Sequence, residues 1–67
     1  MNKSINRLKV VLAEKNVKNK MLAEKINKTQ STVSLWCSNE RQPSLETLHE
    51  LSIVLQVDIR ELLNSTK

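Results

Sequence analysis

The 67-residue chain has no glycine, tyrosine or phenylalanine, and it has one cysteine and one proline. Because Cys37 stands alone, an internal disulfide and a multi-cysteine zinc site are excluded. No run of 18 apolar residues occurs, so the sequence predicts no membrane-spanning helix. The N-terminus places charges among its apolar residues and lacks a signal-peptide core, which predicts a cytoplasmic location.

Small size and missing motifs argue against catalysis. A chain of this length is expected to form one domain, residues 1–67, and to bury only about 60% of the surface that its unfolded form exposes. Such a domain has no room for a deep pocket beside a stable core. The sequence shows no nucleophile–base pair and no phosphate-binding loop, and His49 has no second metal ligand close in sequence. We therefore expect no enzyme activity, no cofactor and no metal.

The net charge of +4 is unevenly distributed along the chain. Residues 1–28 contain eight basic and two acidic side chains, whereas residues 42–67 contain two basic and four acidic ones. A basic half beside an acidic half is expected of a protein that turns one face toward a polyanion. A solvated, lysine-rich surface explains the same asymmetry, so the charge pattern alone leaves both interpretations open.

Apolar residues recur at helical spacing throughout, which predicts an all-α fold of five helices. The first helix is expected behind Ser4 and ends near Asn16, and the second runs over about residues 19–26. The third, about residues 30–38, follows the capping residue Thr29, and the fourth follows the cap Ser44. The fifth begins with the D-x-x-E capping box of residues 58–61, has Val57 and Leu62 as a hydrophobic staple, and ends near Asn64. The predicted inward-facing residues are Ile5, Leu8, Val11, Leu12, Leu22, Ala23, Ile26, Val33, Trp36, Leu45, Leu48, Leu51, Ser52 and Leu55.

The middle of the chain, about residues 19–38, has the spacing of two helices that cross steeply around a short turn. The small Ala23 lies where the second helix would cross the first, and Asn27 tolerates the positive φ that the turn needs. Val33 and Trp36, about one turn apart, would lock the second helix onto the first. This pattern is typical of a helix-turn-helix unit.

If Val33 and Trp36 point inward, the side chains at the start of the third helix point outward. Gln30, Ser31 and Thr32 are short, uncharged and rich in hydrogen-bonding groups, so they are suited to base edges in the major groove of DNA. Leu35 lies about one turn later, either as an apolar contact to a thymine methyl group or as a partly buried rim residue. We predict these four as base-reading residues.

Three segments together resemble the phage-repressor-like helix-turn-helix family, also called Xre or lambda-repressor-like. They are LAEKINKTQSTVSLW (22–36), RQPSLETL (41–48) and VDIRELL (57–63), and the resemblance covers about residues 5–63. It implies a compact five-helix DNA-binding domain whose second and third helices form the helix-turn-helix. Its usual role is that of a bacterial or phage-encoded transcription regulator that acts as a homodimer on a near-palindromic site.

The chain departs from this family's pattern at several positions. Asn39 replaces a turn glycine, which an asparagine tolerates. Lys18 stands where a serine or threonine usually caps the second helix, so Asn19 is expected to cap it one residue later. Many relatives pair an arginine of the first helix with a glutamate of the third, whereas here both positions are apolar, Leu12 and Cys37.

Five residues around the proposed reading helix are candidate phosphate contacts: Asn19, Lys20, Lys28, Asn39 and Arg41. Arg41 is the best of them, because the resemblance places the loop after the third helix along the DNA backbone. For each cation, the alternative of an exposed solubilising side chain stays open. Ile53 is turned away from the inward stripe of the fourth helix, so Ile53 and Val54 are candidates for a dimer interface, or Ile53 is an isolated surface residue.

The sequence therefore predicts a sequence-specific, double-stranded-DNA-binding transcription regulator, most simply a homodimeric repressor without a small-molecule effector. The alternative is a protein-interaction module of the same fold that does not bind DNA by sequence.

Overall fold

The computed structural model describes residues 4–65 as four α-helices followed by a short 3-10 helix. The α-helices are α1 (Leu8–Lys15), α2 (Asn19–Lys25), α3 (Gln30–Cys37) and α4 (Leu45–Leu55), and the 3-10 helix spans Ile59–Leu62. The predicted all-α class and five-element order are confirmed. No helix within residues 4–65 combines the length and the apolar character needed to cross a membrane. Lys3 and Lys67, both counted in the charge balance, lie outside the described residues.

Residues with amide side chains stand at the positions of positive φ, where glycine is usually found. Asn16, Asn27 and Asn39 have φ of 57°, 58° and 62°, respectively, at the ends of the first three helices. Asparagine tolerates this region because its short polar side chain can form local hydrogen bonds. All three agree with the sequence prediction. Gln56, which ends α4 at φ 56°, was not anticipated.

Three predicted helix caps are confirmed, at Thr29, Ser44 and Asp58, and two are wrong, at Asn19 and Ser4. The Thr29 hydroxyl accepts from the Thr32 N–H at 3.1 Å, and the Ser44 hydroxyl accepts from the Thr47 N–H at 3.1 Å. The capping box of the 3-10 helix is formed in both directions. Asn19, by contrast, does not cap α2, because the helix already begins there and Lys18 is at the cap position without a side-chain bond.

The core is assembled from the inner face of every helix. Twelve apolar side chains are buried in one cluster: Leu8, Val11, Leu12, Leu22, Ala23, Ile26, Val33, Trp36, Leu48, Leu51, Leu55 and Leu62. Two predicted core residues are wrong, because Ile5 is 50% exposed and Leu45 is 74% exposed. Leu45 is the first residue of α4, and the buried stripe of that helix starts one turn later, at Leu48.

The exposure of Ile5 follows from a later start of the first helix. Ser4 does not cap it: α1 begins at Leu8, behind Arg7, and Asn6 forms an isolated antiparallel bridge with Leu63 of the C-terminal segment. The Arg7 N–H donates to the Leu62 carbonyl at 2.8 Å, and the Asn64 N–H donates to the Ile5 carbonyl at 2.8 Å. The two ends of the described chain are therefore hydrogen-bonded side by side, and Ile5 lies on the outside.

Candidate nucleic-acid interface

The packing of α3 fixes which of its faces meets solvent. Val33 is fully buried and Trp36 is 5% exposed, and both belong to the central core cluster. The buried Leu22 and Ala23 of α2 lie in the same cluster. Since successive helical residues are about 100° apart, burying this side of α3 turns the opposite side outward.

The outward side of α3 carries four residues that we call the α3 face: Gln30, Ser31, Ser34 and Leu35. They line one shallow, open depression, where Leu35 is half-buried and the other three are exposed. The surface is uncharged and combines an amide, two hydroxyls and one aliphatic group. Such a set can donate, accept and make apolar contact, which are the three kinds of contact that base edges offer.

Ser34 belongs to the α3 face although the sequence analysis did not select it. It lies four residues after Gln30 and three after Ser31, and residues at these spacings share one side of a helix. The spacing alone would therefore have identified Ser34 once Val33 and Trp36 were assigned to the core.

Thr32 is placed differently from its two predecessors. It is half-buried, and its Oγ1 lies 2.8 Å from the Oγ1 of Thr29. Its backbone N–H donates to the same Thr29 oxygen. Thr32 thus contributes to the start of α3 and borders the α3 face, whereas Gln30 and Ser31 are free to meet a ligand.

Three exposed cations lie before and after the α3 face along the chain. Lys20 lies in α2, Lys28 lies in the turn just before the Thr29 cap, and Arg41 lies in the loop after α3. Within residues 4–65, Arg60 and Asp58 form an ion pair. None of the three cations is within ion-pair distance of a carboxylate in this part of the chain. Their charges are therefore available to an external anion.

The two candidate asparagines make contacts inside the protein. Asn19 is half-buried, and its Oδ1 accepts the Cys37 thiol at a sulfur–oxygen distance of 3.8 Å. Asn39 is also half-buried, and its side-chain oxygen accepts the N–H groups of Ile5 and Asn6 at 2.8 and 2.9 Å. A phosphate contact by the Asn39 side chain would compete with these bonds.

Comparison with known proteins agrees with this geometry. The sequence profile of the helix-turn-helix family matches residues 8–62, which is most of the chain. The chain belongs to the Xre, lambda-repressor-like helix-turn-helix family.

Among solved structures, the helix-turn-helix chain is similar to the crystal structure of a Bacteroides fragilis protein that is provisionally named as DNA-binding. The two are 52% identical with a TM-score of 0.88, and the match covers 90% of this chain and 97% of the other. No curated protein matches the chain significantly.

The two apolar residues that replace the expected ion pair between the first and third helices lie at one cavity of this helix-turn-helix domain. Leu12 and Cys37, where the family resemblance led us to expect an arginine and a glutamate, both line it, together with Lys9, Asn19, Ser34 and Ser38. Cys37 is half-buried, and burial raises the pKa of its thiol, against an opposing effect of the Lys9 charge. The protonated thiol is the form that donates to Asn19.

The dimer candidates lie apart from the α3 face, on α4. Ile53 is 63% exposed, whereas Val54 is half-buried and packs against the core. His49 is exposed on the same helix, and residues 4–65 contain no group of three or more histidine, cysteine, aspartate or glutamate side chains that could hold a metal ion.

Sequence reasoning missed Asn6, the most deeply buried polar residue in the described part of the chain. It was overlooked because the first helix was expected to begin behind Ser4, which would have made Asn6 an ordinary helical residue. Its Oδ1 accepts from the N–H of Leu8, the first residue of α1, at 3.0 Å, so Asn6 pairs one of the amide groups at the start of that helix.

Proposed function

We propose that this helix-turn-helix protein binds double-stranded DNA by sequence, with α3 in the major groove, and regulates transcription. The observation that carries the proposal is the α3 face, an uncharged hydrogen-bonding surface. Three exposed cations lie before and after it in the chain, and none of them pairs with a carboxylate within residues 4–65. The provisional DNA-binding name of the similar Bacteroides fragilis protein supports it. We further propose that residues 1–67 form a single domain whose function is DNA binding.

Base reading falls to the α3 face and its border. The Gln30 amide can bond two ways to adenine, and the hydroxyls of Ser31 and Ser34 can serve any base. Leu35 supplies apolar contact for a thymine methyl group. Thr32, with its hydroxyl at the Thr29 cap, would contact DNA from the edge.

Phosphate binding falls to Lys20, Lys28 and Arg41, which lie before and after α3 in the chain. Phosphate contacts set the position of a protein on the duplex without reading its sequence. Asn19 is the remaining amide candidate, and its free N–H groups can donate while its oxygen accepts the Cys37 thiol.

We further propose that the protein acts as a homodimeric repressor in the cytoplasm, without cofactor or effector. Two copies would place their α3 helices about 34 Å apart on a near-palindromic operator, matching half-sites one helical turn apart. Repression would follow from blocking access to the promoter. Ile53 and Val54 are the proposed contacts between the two copies.

The test begins with selection of bound sequences from a random oligonucleotide pool, which reports DNA binding, symmetry and spacing together. On the best site, Gln30→Ala is expected to cost about 1–3 kcal/mol and to relax the preference at one base pair, because it removes a base-edge contact. Binding is measured by fluorescence anisotropy. Val10→Ala, an exposed change on α1, is the control and should leave affinity unchanged.

Loss of preference in Gln30→Ala is the decisive result. Unchanged affinity and preference in that variant would show that α3 does not read the DNA. If the wild-type protein shifts no oligonucleotide at moderate salt, the protein-interaction alternative replaces the proposal.

Arg41→Ala is expected to weaken binding to all sequences alike and to lower the slope of log K against log salt by about 0.9, the value for one phosphate contact. The matched control is Arg60→Ala, which removes an exposed arginine from the 3-10 helix. It should leave the slope unchanged. An equal fall of the slope in both variants would mean that general charge, and not a specific contact, governs binding.

A further inference from the structure

A buried amide joins three parts of the fold behind the α3 face. Asn6 is 3% exposed, and its two amide hydrogens go to the Trp36 carbonyl at 2.9 Å and to Gln42 Oε1 at 2.8 Å. Its Oδ1 accepts from the Leu8 N–H. Because these partners belong to the last turn of α3, the loop after α3 and the start of α1, Asn6 holds all three in one arrangement.

Asn39 completes the connection from the loop side. Its Nδ2 donates to the Asn6 carbonyl at 3.2 Å, while its Oδ1 accepts the Asn6 N–H and the Gln42 Nε2 group, the latter at 3.1 Å. We call Asn6, Asn39 and Gln42 the amide ring. Each member is hydrogen-bonded to both of the others, so loss of one side chain leaves buried or half-buried partners unpaired.

Arg41 lies between two members of the amide ring in sequence. The N–H groups of Glu40 and Arg41 both donate to the Leu35 carbonyl, at 3.0 and 3.2 Å, so the loop backbone is also tied to α3. The Arg41 side chain itself is exposed. The loop therefore presents an exposed guanidinium, which pairs with no carboxylate of the described residues, on a backbone that is hydrogen-bonded on both sides of Arg41.

We propose that the amide ring positions Arg41 for DNA binding. A loop that must become ordered on association loses affinity to conformational entropy, and a loop that is already held avoids that loss. The inference rests on the proposed function, and it makes Asn6 and Asn39 positioning residues that act through Arg41 without touching DNA.

A double-mutant cycle separates positioning from simple stability. Asn39→Gly is the main variant, because glycine keeps the positive φ and removes the side-chain bonds. It is expected to weaken DNA binding about five- to thirtyfold, the size expected when the backbone of one loop residue must be ordered on binding. It should also lower the salt slope toward that of Arg41→Ala. In the Arg41→Ala background, the same change is expected to have no further effect.

Asn6→Ala repeats the cycle from the buried side of the ring, and the fold of each variant is checked by circular dichroism. Asn64→Ala is the matched control, because the Asn64 amide also holds the N-terminal segment, through the Ser4 carbonyl at 2.6 Å, but is not part of the ring. It should leave DNA binding unchanged.

Two outcomes overturn the inference and are distinguishable from each other. If Asn39→Gly weakens binding equally with and without Arg41, the ring does not act through Arg41. Asn39 then contributes through general stability or through the phosphate contact predicted from the sequence, while the proposed function stands. If the wild-type protein binds no DNA, the proposed function and the positioning role fall together.

Discussion

Individual amide side chains account for much of how this chain folds without glycine. Asn16, Asn27, Asn39 and Gln56 occupy the left-handed region, and Asn39 also holds the N-terminal segment. Glutamine is the least suited of the four, because its longer side chain lacks the local hydrogen bonds that asparagine makes in this conformation. Of the four positions, residue 56 is therefore the one at which a glycine substitution should increase the stability of the fold most.

Gln56→Gly is expected to raise the free energy of unfolding by about 0.5–1 kcal/mol, because glycine adopts positive φ without a Cβ penalty. The measurement is the midpoint of urea unfolding. Gln56→Ala removes the same side chain but keeps the Cβ atom, so it should give no increase. Equal shifts in the two variants would show that the φ of residue 56 stores no conformational cost.

Among the elements, α4 depends on a side chain that precedes it. The Ser44 hydroxyl satisfies the Thr47 N–H, one of the four amide groups that a helix leaves unpaired at its start. Glu46 in the first turn adds a favourable interaction with the helix dipole. These two features made the start of α4 predictable from the sequence, although the exposure of Leu45 was not.

Ser44→Ala is expected to lower the free energy of unfolding by about 0.5–2 kcal/mol through loss of this cap. Thermal and urea unfolding both report the change. Ser44→Asp retains an acceptor at the cap position and should stay close to the wild-type value. A loss in Ser44→Asp as large as that in Ser44→Ala would assign the effect to something other than capping.

For the whole molecule, the acidic segment that contains α4 bears the exposed Ile53, and the basic segment contains α1 and α2. Such a division suits a protein that meets DNA with one surface and a second copy of itself with another. The proposed dimer contact can therefore be removed without disturbing the α3 face.

Ile53→Lys is expected to shift the protein toward monomer and to weaken binding to a two-half-site operator, while a single half-site is bound as before. Analytical ultracentrifugation and anisotropy measure the two effects. The control is Leu45→Lys, which places the same charge at another exposed aliphatic residue of α4 and should leave self-association intact. If both variants dimerise like the wild type, Ile53 is an isolated surface residue.

The sequence was informative wherever a periodic pattern or a cap decides structure. The inward side of α3 and the caps at Thr29, Ser44 and Asp58 all follow from spacing and local chemistry. Ile5 and Asn6 could not be placed in this way, because their positions depend on pairing with residues thirty or more positions away. Long-range hydrogen bonds of this kind leave no periodic signal.

Trp36 gives the molecule a built-in optical reporter. It is the sole aromatic residue of the chain, and it is packed on the inner side of α3. Ultraviolet emission from this protein therefore comes from one indole, buried between α3 and the core on which that helix packs. A shift of the emission maximum to longer wavelength will signal that α3 has separated from the core and exposed the indole to water. A ligand bound to the α3 face should leave the emission maximum unchanged.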